Sequence, residues 1–236
     1  MIFKTFKKIF LIGLTLFIIA CSENNQTNQN EAKQEYTEGV DFITLEQEIA
    51  DSKNTLIKVF SYDCIFCYKY DIEILPKVLV EIPNITFVPY HLSTKAEFGN
   101  EASELFATLV IQDENNKITN LFSEDSTFKK AKSALYKAYH EDKERWHNNK
   151  SEYNRDKEAF LNTALTAINL PKDEYNKLKQ DKKVQDLLKK WDKAYDIASI
   201  QGGVPTFVVN GKYIILLQNI KSEQQMIDLI KWLSSK

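Results

Sequence analysis

The sequence predicts an α/β fold in which strands flank an inserted helical domain. Three observations predict it: short apolar, β-branched runs at residues 55–61 and 85–92, a helical period over residues 101–199, and a second pair of apolar runs around Asn210-Gly211. The 236 residues carry 31 Lys+Arg against 33 Asp+Glu, a formal net charge of −2, with 43% hydrophobic and 27% charged residues. That balance excludes a disordered or collagen-like chain and gives no reason to expect nucleic acid as a partner. Three cysteines cannot all pair with one another, which excludes a small scaffold held by disulfides.

Residues 1–20 read as an export signal. Lys4, Lys7 and Lys8 precede 12 uncharged residues, IFLIGLTLFIIA. As a helix this stretch reaches about 18 Å, short of the roughly 30 Å of a bilayer's hydrocarbon. Ile18-Ile19-Ala20-Cys21 resembles a bacterial lipobox, in which Cys21 is lipidated and becomes the mature N-terminus. Residues 21–39 then read as a polar tether, since they hold almost nothing to bury. Lipidation of Cys21 accounts for the odd cysteine and leaves Cys64 and Cys67 as the free thiols, in a compartment that permits disulfides.

The mature chain opens with TLIKVFS at residues 55–61, read as a buried strand, and a helix from Cys64 to about Leu75. Pro83-Asn84 marks a turn, and ITFVPYHL at residues 85–92 is a strand that Pro89 assigns to an edge. Within the helical block Leu105, Phe106, Leu109 and Val110 share one face. Phe128, Ala131, Leu135 and Tyr139 share another, and Val184, Leu187, Leu188, Trp191 and Tyr195 form a third stripe. Residues 141–158 are charged and polar apart from Trp146 and Tyr153 and read as an exposed helix end or connection. Gly202-Gly203 ends the block. TFVVN and KYIILL flank Asn210-Gly211, a pair that tolerates the positive φ of a hairpin turn. A last helix over residues 222–233 has Ser222 and Gln225 as a capping box, with Met226, Ile227, Ile230 and Leu233 on its apolar face.

Cys64-Ile65-Phe66-Cys67 follows a strand and opens a helix. At a helix N-terminus, unpaired N–H groups and the dipole favour an anion, so the thiolate of an exposed Cys64 is stabilised. Cys67 lies one turn on, close enough to close a disulfide that an outside thiolate can open at Cys64. Two other readings compete. Zinc needs four ligands, and His91, His140 and His147 show no spacing that completes a site. A purely structural disulfide would close too small a loop to stabilise much.

Phe60-Ser61-Tyr62-Asp63-Cys64-Ile65-Phe66-Cys67 resembles the active-site segment of the DsbA family of thiol:disulfide oxidoreductases. Residues 203–213, GVPTFVVNGKY, resemble its second signature, and Tyr90-His91 matches a pair that members often carry. The resemblance implies a thioredoxin fold, residues 40–100 and 200–236, split by a helical insertion domain, residues 101–199. It implies a cis Val204-Pro205 bond, with Val204 offering its backbone to an extended substrate, and Pro205, which cannot bind metal, facing the disulfide. It implies no cofactor or metal beyond the Cys64–Cys67 disulfide. The partners it implies are reduced, unfolded exported proteins and a quinone-linked membrane oxidase of the DsbB type. The location it implies is the periplasmic side of the bacterial envelope.

Four residues are expected to tune the redox couple. Ile65 and Phe66 stand where strongly oxidising members often carry Pro-His, and Phe66 cannot donate a strong hydrogen bond. Asp63 raises the energy of the thiolate if its carboxylate turns inward. Together these features predict a milder oxidant. Lys58 stands six residues before Cys64, where members often bury a Glu thought to assist proton transfer, and could instead stabilise the thiolate. Two alternatives share the motif. A disulfide isomerase or reductase is one, although a tether of about 20 residues is short for a dimerisation domain. A chaperone-like module that binds substrates without redox turnover is the other.

Overall fold

The computed structural model of the protein describes residues 35–147 and 155–236. The apolar N-terminal segment, Cys21 and most of the polar tether lie outside the described residues, as does Tyr153. Residues 36–236 form one compact unit.

Five strands form one sheet among the described residues. They are β1 (Phe42–Thr44), β2 (Thr55–Phe60), β3 (Thr86–His91), β4 (Thr206–Val209) and β5 (Tyr213–Ile215), in the order β1-β5-β4-β2-β3. β3 runs parallel to β2, with Phe60 opposite His91, whereas β4 runs antiparallel to β2, with Val59 opposite Thr206. This order puts β2 inside the sheet, between β4 and β3, where all six of its residues are buried. Pro89 lies on the edge strand β3, where its missing N–H breaks no ladder on the open side.

Leu56, Phe207, Val209 and Ile215 pack on one side of the sheet against α2 (Leu75–Glu81) and α9 (Glu223–Ser234). Ile57, Val59, Val208 and Ile214 face the helices that lie between β3 and β4. These are α3 (Gly99–Asn115), α4 (Thr127–His140), α5 (Lys157–Ala167), α6 (Lys172–Leu178), α7 (Lys182–Trp191) and α8 (Ala194–Ile200). Side-chain caps start several of them: Ser126 accepts from the Lys129 N–H, Asp156 from Ala159, and Asp181 from Lys183. The buried Asp113 of α3 also accepts from the backbone N–H groups of Thr127 and Phe128, which ties α3 to the start of α4.

Two expected turns are present in detail. Gly202, at φ +84°, and Gly203 close α8 through Gly202 N–H to Ser199 O and Gly203 N–H to Ala198 O. Asn210 and Gly211 both have positive φ in the β4–β5 hairpin. Ser222 caps α9 as expected, but the Gln225 side chain accepts from the Lys221 N–H rather than from Ser222.

Elsewhere the structure differs from expectation. The helix after Cys64 does not end near Leu75. It runs as α1 (Ile65–Lys69), a π turn (Tyr70–Ile74) and α2, and the wide turn accommodates Pro76, which lacks an N–H. Tyr195 does not belong to the third stripe: α7 stops at Trp191, and Tyr195 is exposed on the separate α8. Trp146 is not part of an exposed connection but is buried, its ring edge-on to Phe98 and Phe160 and its indole N–H donating to Thr163. β1, only three residues long, is a strand the sequence did not announce.

Candidate functional site

β2 ends at Phe60 and delivers the chain to the start of α1 through Ser61, Tyr62 and Asp63. Cys64 is the N-cap of α1, with extended backbone (φ −88°, ψ 107°), so its side chain turns back over the first helical turn. There the Cys67 N–H donates to Cys64 Sγ at 3.1 Å. An N–H that satisfies a neutral sulfur binds a thiolate more strongly. Cys64 and Cys67 form a disulfide, with Cα atoms 5.2 Å apart. Cys67 is fully enclosed, while Cys64 keeps 6% of its surface, so it is less open than expected yet remains the reachable sulfur of the pair. Between them Ile65 and Phe66 project outward, 42% and 61% exposed.

The second signature arrives from the far end of the chain. The Val204-Pro205 peptide bond is cis, and the Val204 carbonyl oxygen lies 3.3 Å from Cys64 Sγ. Gln201 Nε2 donates to Pro205 O at 2.8 Å, and Thr206 Oγ1 donates to Gly203 O at 2.6 Å, fixing the loop between α8 and β4.

The expected tuning residues fall into two groups. Asp63 does not turn toward the sulfurs unaccompanied: it accepts from Ser61 Oγ at 2.7 Å and pairs with Lys95 Nζ at 3.1 Å. Lys95 offsets much of the charge that was expected to oppose the thiolate. Lys58 lies fully buried beneath the CxxC helix, donating to the Cys67 carbonyl at 3.0 Å and to Asp71 Oδ1 at 2.7 Å. Burial pushes the Lys58 ammonium down to about 8, against the pull of Asp71.

Sequence reasoning missed Asp71, Lys132 and His140. Asp71 is in the π turn, four residues after Cys67, and also pairs with Lys132 Nζ of α4 at 3.0 Å. Burial raises its carboxyl, but Lys132 and Lys58 outweigh that and hold it below the usual range. The signal for Lys132 was its position: it stands midway between Phe128 and Tyr136 on the buried face of α4. His140, which adjoins the segment expected to be exposed, is half-buried over the loop before Cys64. Its Nε2 lies 3.1 Å from Tyr62 O, and its ring stacks on Tyr68. Among the described residues no three His, Cys, Asp or Glu side chains gather as a metal site would require.

A reachable sulfur at a helix N-terminus, an enclosed partner one turn on and a backbone carbonyl alongside define a thiol–disulfide exchange site. Comparison with known proteins specifies it further. The chain is 48% identical over 202 residues to the thiol:disulfide interchange protein DsbL of Lelliottia amnigena, covering 85% of this chain and 88% of that protein. It is 46% identical over the same length and shares to DsbL of Escherichia coli strain CFT073. The crystal structure of reduced DsbL superposes with a TM-score of 0.79 at 46% identity, covering 85% of this chain and 100% of that one. DsbA of Klebsiella pneumoniae, at 17% identity and a TM-score of 0.64, shares the fold. No family model matches the chain. The chain belongs to the DsbA family of thiol:disulfide oxidoreductases, with the family's thioredoxin fold and interspersed helices.

Proposed function

We propose that the oxidised protein donates its Cys64–Cys67 disulfide to reduced, unfolded exported proteins. A substrate thiolate attacks Cys64 Sγ. The new S–S bond joins substrate to Cys64, the Cys64–Cys67 bond breaks, and its electron pair leaves on Cys67. A second substrate thiolate then attacks the substrate sulfur of the mixed disulfide and expels Cys64 as a thiolate. Val204 and Pro205 border the attacked sulfur, where an extended substrate segment can bind through the Val204 backbone. Exposed Ile65 and Phe66 supply the apolar rim beside it.

One observation carries this direction of electron flow: Cys64 Sγ accepts the Cys67 N–H at the start of α1, an arrangement that favours its anion. Stabilising the reduced form makes the disulfide a stronger oxidant. A DsbB-type quinone-linked membrane oxidase regenerates the disulfide, and the protein acts on the periplasmic side of a bacterial envelope. Cleavage before Cys21 and its lipidation tether the domain to a membrane. Among the described residues, no helix is long and apolar enough to cross one.

Cys64→Ser should abolish oxidation of a reduced dithiol peptide, and full residual activity would overturn the assignment. In cells the protein should be found mainly oxidised. A mainly reduced pool would instead indicate an isomerase or reductase, and function without either cysteine a chaperone.

A further inference from the structure

Three charged side chains meet in the core beneath the exchange site. Lys58 comes from β2, Asp71 from the π turn and Lys132 from α4. All three are buried, with side chains 0%, 6% and 3% exposed. Lys58 and Lys132 each take one oxygen of Asp71, so with both lysines protonated one positive charge is left over. Such an excess is costly in a core unless something offsets it. Aromatic faces offset part of it: Lys132 Nζ lies 4.7 Å from the Phe128 ring centroid and 4.9 Å from that of Phe122. The Phe60 ring centroid lies 5.6 Å from the same Nζ. The cluster is joined to the exchange site, since Lys58 Nζ binds the carbonyl of Cys67 itself.

We propose that Lys58, Asp71 and Lys132 form a buried charge cluster completed by the reduced enzyme. In the disulfide form the cluster carries a net +1, and the thiolate formed on reduction supplies the missing negative charge. Lys132, carried by a helix outside the CxxC segment, is thereby a positioning residue for the redox couple. The inference rests on the donor function proposed above. The reaction balances as enzyme disulfide plus substrate dithiol giving substrate disulfide, an enzyme with one thiol and one thiolate, and one released proton. Two electrons pass from substrate to enzyme. The lowered basicity of Lys58 agrees with a cluster that holds more positive charge than it can comfortably keep.

The test compares wild type, Lys132→Gln, Asp71→Asn/Lys132→Gln and the exposed control Lys130→Gln. Each is equilibrated with reduced and oxidised glutathione, and the Cys64 thiolate is titrated by its ultraviolet absorbance. Lys132→Gln keeps a donor for Asp71 but removes the excess charge. It should weaken oxidation about tenfold, which is about 30 mV for a two-electron couple, and raise the Cys64 thiol pKa by about one unit. The double variant restores a net +1 and should return toward wild type, while Lys130→Gln should not move. If Lys132→Gln does not fold, Lys132→Met serves in its place, with the same expectation. A single variant within twofold of wild type, or a double variant that falls as far as the single, overturns the cluster. Failure of wild type to oxidise a dithiol peptide would instead reject the donor function, whatever the variants do.

Discussion

His91 ties folding stability to pH. It is fully buried at the end of β3, its ring 5.1 Å from Phe60 and 5.2 Å from Phe106, and its Nδ1 lies 2.7 Å from Ser103 Oγ. Its Nε2 has no hydrogen-bond partner among the described residues, so a proton there would be buried unpaired. Burial pushes the imidazole down from 6.5 to about 3. Above pH 6.5 both folded and unfolded chains hold it neutral. As pH falls below 6.5 the unfolded chain takes a proton that the folded chain refuses, so stability falls until about pH 3. At pH 4 the loss from this one group is about 3 kcal/mol. The assay is urea unfolding of the oxidised protein at pH 7 and pH 4, compared with His91→Phe, which keeps an aromatic ring in the cluster. Other titrating groups act in both proteins and cancel in the comparison. The wild type should lose about 3 kcal/mol more than the variant over this interval. Equal losses in the two proteins would refute the reasoning.

Two further predictions concern packing. Trp146→Ala removes a buried indole and its bond to Thr163, and should cost about 3–5 kcal/mol in chemical denaturation. Gly211→Ala, at φ +65°, would bring a Cβ within 2.6 Å of Ile49 O. It should cost at least about 2 kcal/mol, seen as a lowered thermal midpoint.

Much of this architecture was legible because local chemistry and global fold agree. The β-branched run of β2, the Asn210-Gly211 turn, the Gly202-Gly203 stop and the Ser222 cap each carry their own physical signature. The cysteine pair was legible from its position between a strand and a helix. What stayed hidden depends on contacts distant in sequence. β1 is three residues long and is defined by its partner β5, far along the chain. Trp146 sits among charged residues, and only the approach of Phe98 and Phe160 makes it core. Asp71 and Lys132 look like surface charges one at a time. Each is buried because the other is there, with Lys58. Asp63 illustrates the reverse case: its proximity to Cys64 was plain, but its partner Lys95 was not.

The most direct test of disulfide donation is the equilibrium redox potential of the Cys64–Cys67 pair against glutathione. Protein disulfide isomerase lies at about −180 mV and thioredoxin at about −270 mV. A Cys64 thiolate held by the α1 N-terminus predicts a value more oxidising than about −180 mV. A potential as low as that of thioredoxin would contradict it and make this protein a reductant of its substrates.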